Sequence, residues 1–69
     1  MRTNQGYEII SACPISLRDE VVLARLHKNN YVTWMCSNGD NYFWGHYFGN
    51  KKDALLDYAE RIKNEAQFV

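Results

Sequence analysis

The sequence predicts an α+β domain in which an antiparallel meander of three to four strands carries one C-terminal helix on one face, in the order β-β-β-β-α. Branched-apolar segments alternate with polar ones as far as residue 49, an Asn-Gly pair stands between two of them at Asn38-Gly39, and helical spacing begins after Gly49. The alternation argues strands, the Asn-Gly pair a hairpin, and the change of period a helix.

The first segment, YEIISACPI (Tyr7 to Ile15), reads as a strand that ends near the only proline, Pro14, because a proline is tolerated at strand ends and edges. After the polar SLRD comes EVVLARLHK (Glu20 to Lys28), a second strand rich in β-branched residues. Asn29-Asn30 then connects to YVTWMCS, and Asn38-Gly39-Asp40 connects that segment to NYFWGHYFG. The second, third and fourth strands therefore form a meander, while the sequence leaves the place of the first strand open.

In the last segment Asn50 supplies an N-cap with Asp53 three residues on, the spacing of a capping box with a shorter acid. Leu55, Tyr58, Ala59, Ile62 and Ala66 then recur on one side, and Lys51, Asp57, Glu60, Lys63 and Asn64 on the others, which predicts a helix from Lys51 to Glu65. A helix of this length is not stable alone and lays its stripe on the sheet.

At 69 residues, with 46% hydrophobic side chains, residues 1–69 make a single domain, one that buries only roughly 60% of the surface its unfolded chain exposes. Eight basic and eight acidic side chains cancel, which argues against duplex DNA as a partner and lowers the repulsion between copies. The N-terminus MRTNQGYEII has no long apolar run, and no segment approaches the ~18 apolar residues of a membrane span. The chain is read as soluble and cytoplasmic, with Cys13 and Cys36 as reduced thiols.

The rings are concentrated in YFWGHYF, Tyr42 to Phe48. A two-residue turn at Asn38-Gly39 sets Cys36 opposite Asn41, Met35 opposite Tyr42, Trp34 opposite Phe43 and Thr33 opposite Trp44. Pairing the uncharged alternate of the second strand with Val32, Trp34, Phe43 and Tyr47 gives a core of Val22, Ala24, Leu26, Val32, Trp34, Phe43, Leu55, Tyr58, Ala59 and Ile62 beneath the helix, with Gly45 allowing close approach. The opposite face then carries Arg25, His27, Tyr31, Thr33, Met35, Tyr42, Trp44 and His46. A three-residue turn with a bulge is the alternative, and it brings Trp34 opposite Trp44.

An apolar-aromatic face of this kind is an interaction surface. The preferred reading is a non-catalytic interaction protein that self-associates as a homo-oligomer (a dimer) or binds a partner protein through Arg25, Tyr31, Tyr42, Trp44 and His46. The alternative is a nucleotide or single-stranded RNA module in which the same rings stack on bases, each worth ~1–3 kcal/mol. Neutral net charge favours the protein interface.

No catalytic residue, metal ligand set or cofactor is assigned. His27, His46, Cys13 and Cys36 form no paired ligand motif, and the register separates Cys36 from His46. A hydrolase or transferase built on Cys13 or Cys36 with a histidine is the third reading and predicts a low-pKa thiol. Lys51 and Lys52 stand at the helix start against its dipole, which raises an anion-contacting edge as a further possibility.

The segments YVTW (Tyr31 to Trp34), NGDNYFWGHYF (Asn38 to Phe48) and DALLDYAERI (Asp53 to Ile62) resemble a group of small bacterial proteins associated with mobile elements and phages. No activity transfers from that resemblance to a named residue. It implies a context of stoichiometric binding, such as anti-defence inhibition of host nucleases or sequestration of signalling nucleotides.

Overall fold

The computed structural model describes residues 2–66. Five strands, β1 (Thr3–Asn4), β2 (Tyr7–Pro14), β3 (Asp19–His27), β4 (Asn30–Ser37) and β5 (Asn41–Phe48), precede one helix, α1 (Lys51–Glu65). They form one antiparallel sheet in the order β1-β2-β3-β4-β5. The α+β class, the meander and the C-terminal helix are as expected. Unexpected from the sequence is β1, a short strand that folds back on Tyr7 and Glu8 through Gln5 and Gly6, both at positive φ. The first expected strand, β2, finds its partner in β3.

Asn50 caps α1 as its spacing requires, its Oδ1 accepting from Asp53 N at 2.9 Å. The connection between β4 and β5 is the three-residue one, with Ser37 opposite Asn41 around Asn38 (φ 57°) and Gly39 (φ 81°). One further residue in the turn moves every pair by one position, so Met35 meets Phe43 and Cys36 meets Tyr42. A second irregularity follows: the register jumps between Met35–Phe43 and Thr33–His46, setting Trp44 and Gly45 of β5 against Trp34 of β4. Similar shifts fall at Ile10 in β2 and Leu26 in β3. Such bulges bend strands and increase twist, and the sheet is curled accordingly.

The expected face assignment is reversed along β3 and β4. Val21, Leu23, Tyr31 and Met35 lie beneath α1 with Ile15, Ala54, Phe43, Phe48, Tyr58 and Ile62. Val22, Ala24, Val32, Trp34 and Cys36 lie on the far side with Tyr7, Ile9 and Tyr42. They are buried there without a helix, because the curled sheet and its rings close over them. Tyr7 and Tyr47 meet the Trp34 indole edge-on at 5.7 and 6.2 Å between centroids, the arrangement the ring quadrupoles favour.

Three of the expected core residues are exposed: Leu26 at 49%, which sits in the β3 irregularity, and Leu55 at 42% and Ala59 on the outer flank of α1. The helix is turned about its axis relative to the expected stripe. Ala54 is fully buried, and Arg61 with 9% exposure faces the sheet in place of Ala59. No described helix is long and apolar enough to cross a membrane.

Candidate functional site

Phe43-Trp44-Gly45-His46 places the bulge, and the reason lies in Trp34. A Cβ on Gly45 would stand 2.7 Å from Trp34 Nε1 and 3.1 Å from Tyr47 Cε1, so only glycine lets the strand pass over the indole. The chain takes up the extra residue at Trp44, whose φ of 53° lies in the left-handed region. For a bulky L side chain that conformation costs roughly 1–2 kcal/mol.

Trp44 is held in place by the helix. The Arg61 Nη2 donates to the Trp44 carbonyl, and Arg61 Nε donates to Asp57 Oδ2 at 3.2 Å across one helical turn. Asp57 Oδ2 also accepts from the hydroxyl of fully buried Thr33 at 2.5 Å. His46 Nδ1 lies 3.1 Å from Asp57 Oδ2 at the outer rim. Burial works against the Asp57 charge, but hydrogen bonds from Thr33 and His46 and the charges of His46 and Arg61 outweigh it, so the carboxyl sits below its ordinary value.

This network ties α1 to β4 and β5 and leaves the indole outside it. Trp44 is 70% exposed and makes one edge-to-face contact, with Phe43 at 5.0 Å and 81°. Beside it runs a shallow cleft of ≈ 320 Å³ between β5 and α1, with Met35 in its lining and Asp57 and Glu60 along the helix. Chemically the cleft offers one apolar plate, an imidazole oriented by a carboxylate, the Arg61 guanidinium, and acidic groups at the edge.

The five residues expected to share one contact face do not share it. Trp44 and His46 meet in this cleft. Tyr31, at 5% exposure, is sealed under α1 with Leu23 and Ala54. Tyr42 lies on the far face, tilted at 59° on Trp34, and its hydroxyl accepts from Arg2 Nε at 3.1 Å. Arg25 is exposed on β3, between Glu8 and Tyr31 in the register. Among the residues counted as solvated on the helix, Asp57 instead faces the sheet edge, and Arg61 went unassigned. The i,i+4 spacing of Asp57 and Arg61 was the available signal.

The two thiols are free and separate. Cys36 is fully buried on the far face, where Arg2 Nη2 donates to Sγ at 3.5 Å. Burial and the nearby Glu20 carboxylate push its pKa up against the opposing Arg2 charge. Cys13 lies on β2 with Sγ donating to the Pro14 carbonyl at 3.7 Å. Comparison with protein-family models, with curated proteins and with solved structures gives no match to this chain, so the geometry itself carries the functional argument.

Proposed function

We propose that the protein is a non-catalytic interaction protein whose contact with another protein surface, a second copy included, is centred on Trp44 with His46 at its rim. The observation that carries this reading is a large indole, 70% exposed, kept in a strained backbone conformation by a nearly buried arginine. Strain that the surroundings maintain at a surface aromatic belongs with binding sites, where Trp is the strongest anchor type. Tyr42, Tyr31 and Arg25 then support the fold or lie outside the contact.

A nucleotide or single-stranded RNA would also stack on the indole. Its phosphates would meet a lining in which Asp57, Glu60 and Glu65 outnumber the cation Arg61, which disfavours that ligand. The resemblance to mobile-element and phage proteins makes anti-defence inhibition the biological setting of the proposal, and that setting rests on the resemblance alone.

The test is a benzophenone side chain introduced in place of Trp44, with the fully exposed Leu17 as control, followed by irradiation in cells producing the protein. Discrete adducts at 44 and not at 17 are expected. Equal or absent labelling at the two positions overturns the reading.

A further inference from the structure

We propose that the occupant of the Trp44 cleft is the opposite flank of α1 from a second copy of this chain, so that copies join head to tail; this rests on the Trp44 reading and names its partner. Charge on α1 is segregated. At ~100° per residue, Lys52, Leu55, Ala59, Ile62 and Lys63 share one side, with no acidic residue among them, while Asp53, Asp57 and Glu60 share the other. Contacts fix which side faces where. Asp57 and Arg61 reach His46 and Trp44 of β5, whereas Tyr58 bonds Ser11 of β2 and Ile62 packs toward Ile15 and Val21.

The lysine-bearing flank has the spacing of a helix seam without a helix against it. Leu55, Ala59 and Ile62 follow one another by four and three residues, the interval at which side chains line up for a neighbouring surface. Leu55 is 42% exposed and Ala59 is exposed, while Ile62, half-buried against Ile15 and Val21, closes the stripe on its sheet side. Among the described residues no ion pair engages Lys52, Lys63 or Glu60.

The two flanks complement each other. On one, an exposed indole stands beside Glu60 and an Asp57 already paired with Arg61 and His46; on the other, an aliphatic stripe stands beside ammonium groups. Ala59, the smallest side chain of the stripe, lets a ring approach beside Leu55, and lysines at the stripe's edge meet Glu60 of the neighbouring copy. A net charge of +0 leaves no long-range repulsion to overcome. Because the complementary surfaces lie on opposite sides of one helix, the contact is heterologous, and repetition adds copies past the dimer into a ring or an open chain.

Light scattering across a dilution series up to ~1 mM, the weak end of specific association, tests this. Wild-type mass is expected to rise past the dimer. Trp44→Ala, which keeps the helix flank, and Leu55→Asp, which keeps the cleft, are each expected to be monomeric with wild-type circular dichroism. Their equimolar mixture is expected to give a one-to-one pair that stops growing, since only one productive contact remains. A wild-type protein that is monomeric throughout, a closed dimer, or a mixture that stays monomeric overturns head-to-tail association. A discrete adduct at position 44 with a different protein would leave the Trp44 reading standing while this inference falls.

Discussion

Replacing Trp44 by Ala and, separately, by Gly distinguishes the cost of its backbone from the worth of its side chain. Both variants lose the indole and its edge contact with Phe43, and both keep the carbonyl that Arg61 engages. They differ in the backbone. At a φ of 53° an alanine retains the left-handed penalty of roughly 1–2 kcal/mol, which glycine does not have. Glycine gives back roughly 0.5–1 kcal/mol through its freer unfolded chain. The Gly variant should therefore be more stable than the Ala variant by about 0.7 kcal/mol, which in a domain of this size is a difference in Tm of ~3–6 °C. Thermal unfolding followed by far-ultraviolet circular dichroism, and by fluorescence of Trp34 as the remaining tryptophan, measures it. An Ala variant as stable as the Gly variant, or more so, would show that no strain is stored at the bulge, and the argument from strain to binding would fail.

Gly45→Ala pushes a methyl into the Trp34 ring and should cost about 1–3 kcal/mol, read in urea unfolding; an unchanged midpoint contradicts the close packing of β5 on the indole. Arg61→Met leaves the Trp44 carbonyl without its donor and Asp57 without one of its cations, a loss of about 2 kcal/mol in the same assay. Because the Asp57 carboxyl is held below its ordinary value, its contribution is full above the unfolded carboxylate pKa of about 3.9 and is lost as pH falls through the lower folded value. Asp57→Asn should accordingly show a shallower loss of stability below about pH 4 than the wild type, measured by chemical unfolding at a series of acidic pH values, and parallel curves would count against it. Of the two thiols, Cys13 should react with iodoacetamide in the native protein and Cys36 only after unfolding, since Cys36 is fully buried with a raised pKa. Rapid native alkylation of Cys36 would reopen a thiol-based reaction.

The candidate site was half legible. Trp44 and His46 stood out as rings in a dense aromatic segment, whereas Asp57 and Arg61 looked like ordinary members of a solvated helix face. Their role depends on Thr33 and on a backbone carbonyl, partners 24 and 17 positions away along the chain, which no local spacing records. Tyr31 and Tyr42 show the converse: two rings read as one surface lie on opposite faces of the sheet.

What the amino-acid order determined alone was local. The Asn50 cap and the apolar period placed α1 at Lys51–Glu65, and alternation with Asn-Gly and Asn-Asn signals placed β2 to β5 within a residue or so. Which face the helix covers was decided by tertiary structure. Tyr31 to Cys36 are all buried, so β4 is apolar on both sides and alternation holds no information about which side meets α1. A third turn residue and a bulge at Trp44-Gly45, where only glycine fits against Trp34, then set the phase of β5. Since strand side chains alternate with period two, each inserted residue exchanges the faces beyond it, so past the bulge His46 and Phe48 turn toward α1 and Tyr47 turns toward Trp34.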